Sequence, residues 1–334
     1  MSGPAWGVAL TAEEAAENNG PRVLIIGWIF TAKASLFVAG RIFSRLKKLA
    51  RLGTGDYIVL VSLTLSFLYM ALITVAVDSG LGRHISTLAT PQAHRALLFT
   101  TIGFVPGILS YTMPKFAVVI LIKDLLRPSR LHVMALWALA AVNAVLTVLC
   151  ITFTYVQCEP PSALWTTGIV PRCWDPLALI ATSIASGATS ALFDFWFALY
   201  PAAVLWRMQI NLKKKVALIT ALGLGVCAGI VAVYKCTTFE TSRPQYNDLT
   251  FTSVNIVIWT TIEANAVIIS ACIPMLMPFV ELVFGENFLR GGVNGQLPTI
   301  RSSSEPAASS ESSDVGMKAS ERQREDWMRQ VRGT

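Results

Sequence analysis

The chain has 334 residues, 54% of them hydrophobic and only 14% charged, with a mean hydropathy of +0.57. Soluble domains carry about 25% charged residues, so a water-soluble enzyme is excluded: it could not cover this much apolar surface. The formal charge of +7, from 27 Lys+Arg against 20 Asp+Glu, would point a soluble protein toward nucleic acid, but here the placement of the basic residues decides.

In chain order, seven apolar stretches are long enough to cross a bilayer as helices: 22–43, 57–77, 96–122, 131–154, 177–206, 216–236 and 251–284. None alternates with period two, which excludes a transmembrane barrel. The expected fold class is an all-α membrane protein, a seven-transmembrane helix bundle. Residues 1–21 hold Glu13, Glu14 and Glu17 and no basic residue. They lack the pattern of a cleaved signal peptide, so the first span is expected to act as its own insertion signal. The bundle is expected to occupy 22–290. From 291 to 334 the composition shifts to a low-complexity tail with Ser302, Ser303, Ser304, Ser309, Ser310, Ser312 and Ser313, which predicts disorder.

Orientation follows from the loops. Arg45, Lys47, Lys48 and Arg51 lie between spans 1 and 2. Lys123, Arg127 and Arg130 lie between spans 3 and 4, and Arg207, Lys213, Lys214 and Lys215 between spans 5 and 6. Those eleven face only Arg83, Arg95, Arg172 and Arg243 on the other side. The positive-inside rule therefore predicts the N-terminus outside and the tail in the cytosol. Topology accounts for the basic loops, and nucleic-acid binding is rejected. The expected partners are the lipid bilayer, a small hydrophobic ligand or metabolite, and a cytosolic partner reached through the basic loops and the Ser-rich tail. The plasma membrane and the endoplasmic reticulum both fit.

Cys158 and Cys173 lie in the outer 4–5 loop, separated by fifteen positions, on the oxidising side. A bridge between them is expected, with pairing of either to Cys236, or free thiols, as alternatives. Trp137, Trp165, Trp174 and Trp206 fit interfacial anchors. Gly225 and Gly229 form a small-xxx-small spacing in span 6 that lets another helix approach. Gly103, Pro106, Gly107 and Pro114 predict a bent third span. His84, His94 and His132 show no metal-ligand spacing, so no metal is expected.

Four charges fall well inside spans, away from their ends: Lys33, Lys115, Asp194 and Glu263. On the insertion scale each costs about 2.5–3.5 kcal/mol at a helix centre, so they are expected to face the interior and find partners. Ser183, Ser186, Ser190 and Asp194 share one face of span 5, within about 80° at 3.6 residues per turn. Thr252, Asn255, Trp259, Glu263 and Ser270 do the same on span 7, and Tyr111 lies one turn from Lys115 on span 3. These stripes predict a polar pocket formed by Tyr111, Lys115, Ser186, Ser190, Asp194, Asn255, Trp259 and Glu263. Two uses compete. Asp194 and Glu263 could serve as acid, base or counter-ion, or ion pairs Lys115–Asp194 and Lys33–Glu263 could simply fix helix register. A retinal Schiff base needs a lysine in the last span, and span 7 has none; neither retinal nor another cofactor is expected.

Several motifs in order carry a family likeness. They are Gly80-Leu81-Gly82-Arg83-His84 after span 2, Lys115 late in span 3, and Cys158-Glu159-Pro160-Pro161 with Trp165 and Cys173. Span 5 adds Asp194-Phe195 and Pro201, and span 7 adds Asp248, Trp259, Glu263 and Ile273-Pro274. Over roughly residues 20–285 the chain resembles the fungal rhodopsin-like integral membrane proteins. Where that family often carries paired acids entering span 2, this chain has Gly55-Asp56. The resemblance implies a seven-helix membrane protein associated with secondary-metabolite genes or surface sensing. The expected function is binding of a small hydrophobic molecule in a polar-lined cavity. The alternative is an intramembrane acid/base enzyme, a cyclase or isomerase, acting on a lipophilic biosynthetic intermediate.

Overall fold

In lipid a crossing segment must satisfy its own backbone polar groups, so long apolar runs fold as helices. The computed structural model describes residues 16–49, 51–126, 129–166, 172–174, 176–207, 223–234 and 248–288. Glu13 and Glu14, Lys213 to Lys215, Cys236, Arg243 and the Ser-rich tail lie outside the described residues. Among the described residues six helices are long and apolar enough to cross a membrane: α1 (Gly20–Leu49), α2 (Thr54–Asp78), α3 (Thr90–Leu126), α4 (Arg130–Val156), α5 (Pro176–Arg207) and α7 (Leu249–Phe288). A shorter apolar helix, α6 (Gly223–Tyr234), falls between the last two. The protein is an all-α, multi-pass integral membrane protein.

Burial separates interior helices from lipid-facing ones. The most apolar windows of α3 and α7 are 72% and 78% buried, against 28% in α1 and α4 and 33% in α2. On α1 the buried positions are Gly20, Val23, Gly27, Thr31, Ala34, Val38, Arg41 and Ser44. That three-and-four spacing makes one stripe, which packs on α7, while Ile25, Ile29 and Leu36 stay exposed. One apolar cluster joins Val38, Val59, Val119, Leu136, Phe193 and Ile268. A second joins Val23, Tyr69, Ile73, Ala96 and Val257 of α1, α2, α3 and α7.

Small residues set the close approaches. A Cβ on Gly107 would lie 2.9 Å from the Tyr69 ring, so α3 admits that ring only because the position is glycine. A Cβ on Gly225 or Gly229 would come within 3.4 Å of Phe197 or 3.2 Å of Phe195, so these two glycines let α6 lie against α5. Helix α3 runs unbroken through Pro106 and Pro114.

After α2 the chain turns through Gly80 and Gly82, both with positive φ. At Gly82 (φ +98°) a side chain would also strike the backbone of Gly20. The Asn19 amide donates to the Gly82 carbonyl at 2.9 Å, and the Gly82 amide donates to Thr250 at 3.1 Å. The start of α1, the turn after α2 and the start of α7 thus meet at one end of the bundle.

Cys158 and Cys173 form a disulfide. They face each other across a two-residue antiparallel ladder between β1 (Cys158–Glu159) and β2 (Arg172–Cys173). The Trp174 amide donates to the Gln157 carbonyl, and the Trp174 ring sits edge-on to Phe153 of α4.

Candidate functional site

Helices α3, α5 and α7 bring three of the intramembrane charges together. The Lys115 ammonium, buried at 1% exposure, donates to the Ser190 carbonyl at 3.0 Å, the Ser190 hydroxyl at 2.7 Å and Asp194 Oδ1 at 3.1 Å. The Ser190 hydroxyl in turn donates to Glu263 Oε1 at 2.9 Å. One cation therefore serves two carboxyl groups, Asp194 directly and Glu263 through a hydroxyl. In a low-dielectric interior each link of such a chain is stronger than in water. The Lys115 ammonium also lies 5.1 Å from the centroid of the Phe193 ring.

Beside this network is a cavity of about 30 Å³. Phe104, Ile108 and Tyr111 of α3, Cys150 of α4, Ser183, Ser186 and Gly187 of α5, and Ile256, Thr260 and Glu263 of α7 line it. The lining mixes apolar side chains with hydroxyls and the Glu263 carboxyl group.

The sequence-predicted residues divide accordingly. Tyr111, Ser186 and Glu263 line the cavity, while Lys115, Ser190 and Asp194 form the ion-paired layer behind it. Two expectations are corrected. Asn255 is exposed and Trp259 half-buried, the latter with its ring 4.9 Å from that of Tyr234 on α6. Eight residues at 100° each leave Asn255 about 80° from Glu263, enough to carry it out of the interior. The Lys33–Glu263 pair does not form. Lys33 falls off the buried stripe of α1, is exposed, and lies 5.5 Å from the Phe30 ring, whereas Glu263 is buried.

Three further polar contacts in the interior are not predicted from the sequence. Arg41 Nε donates to Asp56 Oδ1 at 2.7 Å, and its Nη1 to the Ala271 carbonyl at 2.6 Å. That joins α1, α2 and α7 near the Arg45 end of the bundle. Arg41 and Asp56 are 2% and 0% exposed. Asn265 donates to the Thr261 carbonyl at 2.9 Å and to Thr31 at 3.4 Å, and accepts from Ser66 at 3.4 Å. At the opposite end His84 Nδ1 hydrogen-bonds Asp248, whose other oxygen accepts the Ile85 amide at 3.0 Å. The imidazole stacks on Phe251 at 4.1 Å. The signal for the first and third was an ionisable residue at each edge of an apolar run; what the sequence lacked was any indication of which edges meet.

The fungal rhodopsin domain matches residues 40–282, most of the chain and all of the network. This chain belongs to the fungal rhodopsin domain family. Among its relatives is a polyenoic acids biosynthesis gene cluster protein of Metarhizium anisopliae. It is 24% identical over 307 residues, covering 85% of this chain and 81% of the relative. A fugralins biosynthesis cluster protein of Gibberella zeae is 27% identical over 123 residues, 36% of this chain and 29% of that protein. No solved structure matches. The fungal rhodopsin domain here thus has relatives among fungal biosynthesis cluster proteins.

Proposed function

We propose that this fungal rhodopsin domain binds a small hydrophobic molecule in the cavity beside Glu263, acting as a receptor-like or biosynthesis-associated membrane protein. The observation that carries the reading is the cavity's mixed lining: Phe104, Ile108 and Ile256 together with Ser183, Ser186, Thr260 and Glu263. Apolar walls with a few convergent polar groups are the usual composition of a ligand site. Membership of biosynthetic clusters among relatives supports a pathway association. Acid–base catalysis needs a carboxyl group poised toward a substrate. Asp194 is engaged by Lys115 and Glu263 accepts the Ser190 hydroxyl, which favours binding over chemistry.

The proposed architecture is seven spans over 22–290, N-terminus outside, followed by a cytosolic tail from 291. Support for the seventh crossing comes from helix direction. Ser190 meets Glu263 and, further along both helices, Phe193 and Phe197 share one cluster with Ile268 and Cys272, which supports α5 and α7 running side by side in the same direction. Parallel neighbours in sequence need one return crossing between them. Helix α6 suits that role: Gly225 lies near Asp194 and Ala198, whereas Tyr234 reaches Trp259, higher on α7.

Gene deletion with metabolite profiling tests the function. Binding predicts that no single precursor accumulates. Accumulation of one defined precursor, cleared by the wild-type gene but not by Glu263→Gln, would overturn it in favour of catalysis.

A further inference from the structure

Of the four charges well inside spans, Lys33 alone stands outside the interior. It lies 13 residues from Gly20 and 14 from Lys47, the ends of the 28-residue apolar stretch of α1. At 1.5 Å per residue each end is about 20 Å away. The four-carbon stem of a lysine does not reach either surface of a hydrocarbon core roughly 30 Å thick. Among the described residues Lys33 forms no ion pair. Its ammonium lies 5.5 Å from the Phe30 ring, a contact that recovers less than a lysine costs at the centre of a span. Ile25, Ile29 and Leu36 are exposed beside it, and the four fall within about 80° of one another at 3.6 residues per turn.

A charge at this depth ordinarily pairs with an opposite one. Lipid headgroups lie at the surfaces, out of reach. A second copy of the chain offers no acid at this depth among the described residues: Asp194 and Glu263 are buried, and the exposed Asp78 and Asp124 stand in the last turns of α2 and α3. Two copies meeting symmetrically on α1 would also set Lys33 against Lys33, and like charges repel most strongly where the dielectric is low. A different helix with an aspartate or glutamate at its midpoint meets every one of these conditions. We infer that the outer face of α1 docks a partner transmembrane helix through an ion pair between Lys33 and a carboxylate at mid-bilayer depth, with Ile25, Ile29 and Leu36 packing around it.

The test places the full chain, donor-labelled, in phosphatidylcholine vesicles with acceptor-labelled transmembrane peptides of leucine and alanine that differ only in a central Asp, Lys or Leu. Energy transfer is expected to show the Asp peptide associating about tenfold more strongly than the Leu peptide, as a charge-assisted contact allows, and the Lys peptide no better than the Leu peptide. Lys33→Met should erase the Asp preference and Lys33→Arg should keep it; the wild-type comparison stands whether or not either variant folds. Equal association of all three peptides would overturn the inference, as would an Asp preference that survives in Lys33→Met. Energy transfer between two labelled copies of the chain, abolished by Lys33→Met, would assign the face to self-association and overturn it as well. None of these outcomes depends on the cavity beside Glu263.

Discussion

Lys115 Nζ lies 3.1 Å from Asp194 Oδ1, and the Ser190 hydroxyl carries the same ammonium's influence to Glu263. Removing one partner of a buried pair strands the other charge at a cost of about 3–5 kcal/mol, whereas replacing both with apolar residues is often neutral. Lys115→Ala and Asp194→Asn should each lower the unfolding midpoint strongly. The double variant Lys115→Met/Asp194→Leu should recover most of the loss. Equal damage from the double variant would show that the pair contributes more than mutual neutralisation.

The Cys158–Cys173 bridge closes a fifteen-position loop, worth about 3 kcal/mol on the chain-entropy estimate. Reduction, or Cys158→Ser with Cys173→Ser, should lower thermal stability and open the 158–173 segment to protease added on its own side. Unchanged protease resistance would mean that the contact of Trp174 with Phe153 holds the loop by itself.

His84 and Asp248 tie the turn after α2 to the start of α7. A hydrogen bond to a charged group is worth about 1.5–3 kcal/mol. Asp248→Asn should therefore speed amide hydrogen exchange at Ile85 and Thr87 while leaving residues near Lys115 unchanged. Faster exchange throughout the bundle would show that the tie stabilises the whole fold.

Asn143 on α4 is fully buried, and neither its amide nitrogen nor its amide oxygen has a hydrogen-bond partner among the described residues. An unsatisfied buried polar group costs about 1–3 kcal/mol, so Asn143→Leu should raise the unfolding midpoint. A lowered midpoint would reveal a bound water or ligand group at the amide.

Much of this was legible in the sequence, for a physical reason: in lipid, length and apolarity alone select helices. Six of the seven expected spans overlap the long helices. The Cys158–Cys173 bridge and the meeting of Lys115 with Asp194 followed from short loops and from the high cost of an unpaired charge. What was hidden depended on which helices are neighbours. Arg41 and Asp56 sit at the edges of their runs, where a charge reaching toward the headgroups is the default. His84 and Asp248 are separated by 164 positions. Lys33 was misread because depth was considered without phase. The α1 stripe through Thr31, Ala34 and Val38 leaves Lys33 on the outer face.

The most direct test of the central claim, that the cavity beside Glu263 binds a small hydrophobic molecule, is photoaffinity mapping with a lipophilic alkyl-diazirine alcohol on the full chain in nanodiscs, read by peptide mass spectrometry. The cavity predicts labelling at Phe104–Tyr111, Ser183–Gly187 and Ile256–Glu263, removed by an excess of the same alcohol without the diazirine. Labelling confined to the lipid-facing positions Ile25, Leu36, Val145 and Val148 and unaffected by competitor would contradict it.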